Sequence, residues 1–448
     1  MAFFKRPCKM KISFILLFFF SLFSSSSFAQ KQNFSTLDSL FDLLEINDRF
    51  MGTLAISEKG NIIYSKSIGK EDVASGKLSN NLTKYRIGSI SKMFTACLIF
   101  QAIEENKLSL KQTINHYFPK ITNAKKITIG NLLNHRSGIH NYTNDTSYFN
   151  YYTALKSQKE MLEIIQVGGS DFKPNSRAEY SNSNYILLSF ILEKIYKKSY
   201  EELLDIKIIQ PQGLKNTYFG KKLDLAKNEC ASYRFSGKWE LENETNSSVS
   251  LGAGGIVSTT EDLLFFITNL FEGKIIQASS LEQMMKLEDG FGMGIFSVPF
   301  YDKKGYGHNG GIDGFSSSLY TFPAENISIA LTSNGSRFNN NDISIAALSS
   351  CFNLPLQLPS FSELELRSED LDKYLGSYAN SEIPIKISIT KDSLSLIAQA
   401  TGQPSFTLET IGKDSFEFSP AGVEIQFIPE KNLLILKQGG GEFTFTRQ

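Results

Sequence analysis

At 448 residues the chain is long enough for two or three domains, and its 46 Lys and Arg are balanced by 46 Asp and Glu. A formal charge of zero, with no long basic run, argues against nucleic acid or a charged membrane surface as partner. Aromatic residues make up 12% of the chain, which supports large cores and argues against disorder.

Lys5, Arg6, Lys9 and Lys11 precede an apolar stretch from Ile12 to Phe23, followed by Ser24–Ser27, Phe28 and Ala29. This is the secretory pattern, with Ser27 and Ala29 placing cleavage before Gln30. The stretch is shorter than the roughly 18–20 residues that a membrane span needs, and no cysteine follows it closely. An exported protein, periplasmic or extracellular, is expected, with residues 1–29 as a signal peptide and no stable membrane span. Cleavage leaves Cys97, Cys230 and Cys351, an odd number without repeated spacing, hence no disulfide framework.

Leu37, Leu40, Phe41, Leu43 and Leu44 have helical spacing, and the strand-like runs Met51–Ser57 and Asn61–Ser67 meet at a Glu58-Lys59-Gly60 hairpin. Arg86-Ile87-Gly88-Ser89-Ile90-Ser91-Lys92 then leads into an apolar run from Met93 to Ile103 without Pro or Gly. That run reads as a helix buried on nearly all sides, with Ser89 at its cap or in its first turn. Ser89 and Lys92 would share a helix face, with Cβ atoms roughly 5–6 Å apart. A desolvated lysine loses its proton readily and can then accept one from a serine hydroxyl. The helix N-terminus adds N–H groups for an oxyanion. The bare Ser-x-x-Lys pattern recurs at Ser67–Lys70, Ser170–Lys173 and Ser388–Lys391. On this stretch alone, a capping serine beside a snorkelling lysine therefore stays open.

Further along, Ile127–Gly138 reads as a short helix stopped by glycine, and Ala154–Val167 as a second helix. Phe172–Ser176 is a turn leading to Glu179-Tyr180-Ser181-Asn182 and an apolar helix, Tyr185–Tyr196. Gly252–Leu263 pairs a Gly-rich turn with a capped helix but lacks the Gly-Lys-Ser/Thr ending of a phosphate loop. His308 follows among glycines, in Gly307-His308-Asn309-Gly310-Gly311, where a ligand could approach the backbone. Strands Phe315–Phe322 and Ile327–Thr332 and a helix Asp342–Phe352 close this part. Beyond Pro355 and Pro359 the period changes to two, from Ile383, Ile385, Ile387 and Ile389 to Phe443 and Phe445. A small antiparallel barrel or meander without chemistry of its own is expected there.

Ser89–Lys92, Tyr180-Ser181-Asn182 and His308-Asn309-Gly310, in that order, resemble the three motifs of the penicillin-recognising serine hydrolases. The branch is that of class C β-lactamases, D-alanyl-D-alanine carboxypeptidases and related esterases, and the likeness spans roughly residues 35–350. It implies an α/β (α+β) sandwich, an antiparallel sheet from both chain ends with a helical domain inserted. The tail resembles the small lipocalin-like domains appended to such hydrolases. The expected division is a hydrolase domain at 30–352, a linker at 353–367 and a small all-β barrel-like domain at 368–448.

By the same resemblance Ser89 is the acyl-forming nucleophile, Lys92 its base, and Tyr180 a phenolate-type base that shuttles the proton. Asn182 would hold the substrate amide. The amides of Ser89 and Gly311 would form the oxyanion hole, with His308 and Gly310 in the same substrate-binding stretch. This chemistry needs no metal or cofactor. The implied partner is a small peptide or ester, such as a D-amino-acid peptide, a peptidoglycan fragment or a β-lactam. The alternatives are a β-lactamase and a penicillin-binding sensor without turnover. Two departures stand out: His308 occupies the place of the lysine usual in β-lactamases, and Pro174-Asn175 replaces a frequent Pro-Gly. An unperturbed histidine would be partly charged at neutral pH and could hold a substrate carboxylate.

Overall fold

The structure, a computed structural model, describes residues 33–448 apart from 362–366, 382, 393–394 and 404. The expected signal peptide and residues 362–366 of the expected linker lie outside the described residues. Helix α1 (Ser35–Ile46) turns Leu37, Leu40, Phe41 and Leu44 inward. Strands β1 (Phe50–Glu58) and β2 (Asn61–Ile68) form the expected hairpin. Its turn has Lys59 and Gly60 both at positive φ (51° and 77°), the geometry that matches strand twist.

The chain then leaves the sheet through helices α2 (Ser91–Glu104), α3 (Asn182–Tyr196), α4 (Ser247–Gly254, kinked) and α5 (Thr260–Phe271). It returns as β3 (Phe296–Phe300), β4 (Lys303–Ile312), β5 (Phe315–Phe322) and β6 (Ile327–Ser336), followed by helix α6 (Asn340–Cys351). The sheet order is β3-β4-β5-β6-β1-β2, antiparallel throughout, so strands from both ends of this region enclose the helical insertion.

Both sheet faces are covered, which is why β1 is buried almost end to end instead of alternating. Leu54 and Ile56 pack with α1 and α6 on one face. Ala55, Leu319 and Ala330 pack with α2, α3 and α5 on the other. The result is the expected α/β sandwich.

From Gly376 the chain forms eight antiparallel strands that close on themselves: β7 (Gly376–Ala379), β8 (Lys386–Asp392), β9 (Ser395–Ala400) and β10 (Phe406–Gly412), then β11 (Ser415–Phe418), β12 (Val423–Ile428), β13 (Leu433–Gln438) and β14 (Gly441–Arg447). Closure removes the free edges that an eight-stranded meander would expose. Glu409 on β10 ties the barrel to the sandwich, bonded to Arg337 (2.6 and 3.0 Å) and to Arg49. No described helix is long and apolar enough to cross a membrane. Cys97 and Cys230 are buried free thiols, and Cys351 is buried as well.

Candidate active site

Ser89 lies in a single tight turn, Gly88–Ile90, that runs straight into α2. Gly88 has φ 48°, and a Cβ there would come within 2.7 Å of the Gly311 amide nitrogen, so this turn seats directly on β4. Gly310 is equally constrained, since a Cβ would meet the Ile87 carbonyl oxygen at 2.0 Å. Gly307 and Gly310 of β4 are therefore strand residues under close backbone approach, a Cβ at Gly307 meeting the Leu319 carbonyl oxygen at 2.0 Å.

Lys92, one turn into α2, is fully buried. Its Nζ is hydrogen-bonded to Ser89 Oγ (2.9 Å), Asn182 Oδ1 (2.8 Å) and the Ala253 carbonyl oxygen (2.7 Å). Among the described residues no carboxylate pairs with it, and burial pulls its pKa well below the ordinary lysine value. The snorkelling alternative is thereby excluded. Ser91 is no rival nucleophile, because its buried hydroxyl accepts the Ile256 N–H.

Tyr180 arrives from the loop before α3, and its O–H donates to Ser89 Oγ at 2.7 Å. Burial pushes this phenol above its ordinary range. In the free protein Tyr180 is thus a phenol, not the expected phenolate, because the apolar surroundings penalise the anion. Asn182 has a role beyond the expected one. Its Oδ1 accepts from Lys92 and its Nδ2 donates to Thr143 Oγ1 (3.0 Å), so the carboxamide orients the lysine in addition to the substrate contact expected of it.

His308 lines the pocket from β4, its ring 4.3 Å from the Phe296 ring and tilted 35° to it. Its Nδ1 donates to the Asn309 carbonyl oxygen, which fixes the neutral tautomer and leaves Nε2 as a buried acceptor without a protein partner. Burial, with Lys92 nearby, pushes its pKa down to about 3. The expectation of a half-charged histidine holding a carboxylate at neutral pH is corrected: a desolvated ring beside an amine stays neutral.

The pocket, about 540 Å³, is lined by Ser89, Tyr180, Phe291, Phe296, His308 and Gly311, with Asp289 at its rim. Asp289 and Glu288 both pair with the buried Arg136, Glu288 at 3.4 Å. Arg136 also donates to Asn175 Oδ1 (3.0 Å), and Asn175 takes φ 68°, so asparagine serves where the turn needs a left-handed residue.

The family model described as Beta-lactamase matches residues 42–349. The chain belongs to the Beta-lactamase family. It is a serine hydrolase of the penicillin-binding type. A putative penicillin-binding protein PbpX of Bacillus subtilis is 27% identical over 60% of this chain, which spans 66% of that relative, just under two thirds. A teichoic acid D-alanine hydrolase of Staphylococcus aureus is 27% identical over 66% of this chain and 72% of its own. Penicillin-binding protein 4* of Bacillus subtilis is 24% identical over 91% of this chain and 97% of its own. Among solved structures, the octameric penicillin-binding protein homologue of Pyrococcus abyssi superimposes with a TM-score of 0.63 at 25% identity, over 91% of this chain and 99% of that one. The D-amino acid amidase of Ochrobactrum anthropi shares the fold at a TM-score of 0.62 and 21% identity, covering 71% and 98%.

Two parts of this hydrolase's site were not singled out from the sequence. His135 lies fully buried behind Tyr180, its ring 4.5 Å from the phenol ring. Its Nδ1 accepts the Ser181 N–H (3.2 Å), which leaves Nε2 carrying the proton. His135 lies in the Ile127–Gly138 stretch, which the sequence presents only as a short helix stopped by glycine. The other is the Ala253 carbonyl. Leu251 takes φ 33° inside α4, and that kink aims the Gly252 carbonyl at Thr95 (2.7 Å) and the Ala253 carbonyl at Lys92. Such a backbone costs about 1–3 kcal/mol and persists only where its surroundings hold it.

Proposed function

We propose that this protein is an exported hydrolase that forms an acyl-enzyme at Ser89 with a small ester or amide of a D-amino acid bearing a free ammonium group. The observation that carries this reading is the buried, carboxylate-free Lys92 with three polar partners. A neutral amine has two N–H groups and one lone pair. The N–H groups match the oxygens of Asn182 and Ala253, and the lone pair then faces the Ser89 hydroxyl.

Ser89 Oγ attacks the carbonyl carbon as its proton passes to Lys92 Nζ. The resulting ammonium is held by the Asn182 and Ala253 oxygens. Charge developing on the carbonyl oxygen meets the amides of Ser89 and Gly311, preorganised by the packing of Gly88 on β4. The Tyr180 phenol gives its proton to the departing oxygen or nitrogen and regains one from Lys92. Water then replaces the leaving group, and the same proton path runs in reverse to release the acid.

The rim supports the substrate class. Glu288 and Asp289 share a single guanidinium, that of Arg136, which leaves one net negative charge beside the pocket. Neutral His308 offers no cation for a carboxylate, and its Nε2 can accept an N–H. A free ammonium fits this setting better than a free C-terminus. D-configuration and a small amide or ester are what the names of a D-alanine hydrolase and a D-amino acid amidase supply. Export rests on the basic-then-apolar N-terminus.

The test is a panel assay on D-alanyl and L-alanyl p-nitroanilide, N-acetyl-D-Ala-D-Ala, nitrophenyl acetate and a chromogenic cephalosporin. Turnover of D-alanyl p-nitroanilide above its L-isomer and its N-acetylated form is expected. Preference for N-acetyl-D-Ala-D-Ala, or turnover of the cephalosporin alone, overturns the ammonium reading in favour of a carboxypeptidase or a β-lactamase.

A further inference from the structure

Asn182, the first residue of α3, meets Lys92 through its side-chain oxygen, and the polarity of that contact matters. Once the Ser89 proton has moved, an ammonium stands where the amine stood, and an oxygen can hold it whereas an N–H cannot. A carboxamide has nearly the same shape at both ends, so the reverse orientation would present its NH₂ to Lys92. Something has to fix its direction.

The turn at Asn141–Asn144 does so. The backbone N–H of Asn182 donates to Asn141 Oδ1 (2.9 Å). A main-chain N–H can act only as a donor, so this contact decides which end of the Asn141 carboxamide is oxygen. Asn141 Nδ2 accordingly points the other way and donates to Asn144 Oδ1 (2.9 Å). The same Asn141 oxygen takes the hydroxyl proton of Thr143 (3.1 Å). With its one proton committed there, Thr143 Oγ1 faces Asn182 as an acceptor, and Asn182 Nδ2 donates to it (3.0 Å). That turns Asn182 Oδ1 towards Lys92 (2.8 Å). The chain of contacts starts at the Asn182 main chain and returns to its own side chain, and no step in it can reverse alone.

The turn is seated by other groups. Tyr142 donates its O–H to the Val249 carbonyl oxygen (2.6 Å) and its N–H to Ser183 Oγ (3.3 Å). The Ser183 hydroxyl in turn donates to the His140 carbonyl oxygen (2.6 Å). Tyr142 is buried, whereas Thr143 is half-buried.

We propose that Thr143 is a positioning residue for the Ser89 reaction: anchored by Asn141, its hydroxyl sets the Asn182 carboxamide so that oxygen, not nitrogen, faces Lys92. It acts through Asn182 and Lys92. The inference rests on Lys92 being the base of Ser89 and is independent of which substrate Ser89 takes.

The experiment is the second-order rate at which a fluorophosphonate probe labels Ser89 in the full chain, a reaction that needs the serine proton removed but no substrate recognition. Thr143→Val keeps the shape and removes both hydrogen-bonding roles; Thr143→Ser keeps both. Valine should slow labelling about 10–100-fold, the worth of one hydrogen bond to a charged group. Serine should stay within about threefold of wild type, since its hydroxyl makes the same two bonds. In an Asn182→Ala chain, adding Thr143→Val should cost less than about twofold, because the group it orients is gone. Melting curves check folding, and Thr143→Ala, which introduces no new contact, should show the same loss as valine. Wild-type labelling rates in a folded Thr143→Val or Thr143→Ala chain overturn the proposal. So do equal losses with valine and serine, or losses from Thr143→Val and Asn182→Ala that multiply in the double variant. Labelling that survives Ser89→Ala overturns instead the Ser89 reading on which the proposal rests.

Discussion

Lys92→Met is the most direct test of a neutral lysine base. Methionine keeps an unbranched stem that packs in the same buried space but carries no basic lone pair. General-base help is worth about 10²–10⁴-fold, or ~2.7–5.5 kcal/mol of barrier at 1.36 kcal/mol per decade. Turnover of D-alanyl p-nitroanilide should fall by that factor with KM little changed. The pH profile separates the ideas further. A lysine with an ordinary pKa of about 10.4 is neutral in only ~0.04% of molecules at pH 7, so its rate would climb tenfold per unit towards pH 10. Burial lowers the pKa of Lys92 well below the ordinary value, so the wild-type rate should level off well before pH 10. Stability carries the same signature. Between the lowered folded value and about 10.4 the unfolded chain binds a proton that the folded one does not. Wild-type stability therefore rises with pH across that window, by up to ~1.4 kcal/mol per unit, and is lost on acidification. Lys92→Met lacks this term, so its melting temperature should gain on wild type as pH falls from 10. A wild-type rate that keeps climbing to pH 10, or a variant within tenfold of wild type, refutes the neutral base.

Ser89→Ala should abolish turnover and labelling by a fluorophosphonate probe while leaving the melting temperature nearly unchanged; surviving label would point to another nucleophile. Buried His308, held down to about 3, and buried His135 bind protons only after unfolding, so their contribution to stability is complete above about pH 6.5 and lost as pH falls below it. Urea midpoints at pH 7 and 4.5 should differ, and less so in His308→Asn; equal midpoints contradict the burial. Glu409→Ala strands two largely buried guanidiniums, Arg49 and Arg337, and should cost about 3–5 kcal/mol by denaturant titration while Ser89 is still labelled. A loss under 1 kcal/mol would make the barrel–sandwich joint an exposed contact.

The fold was legible where a periodic pattern and turn chemistry agree. Alternation placed the barrel strands, and the Lys59-Gly60 turn placed the first hairpin. Ser89 and Lys92 stood out because they open a strongly apolar helix, whereas Tyr180 and Asn182 were singled out only by the order of the three motifs. Helix starts were less legible: the helix expected from Ala154 begins at Gln158, where Ser157 and Glu160 form a capping box. Strand β4 escaped notice because its glycines answer to Ile87 and Leu319, residues distant in sequence. Protonation states also lay beyond reach. That Tyr180 is a phenol and His308 a neutral acceptor follows from burial, which motif order does not reveal.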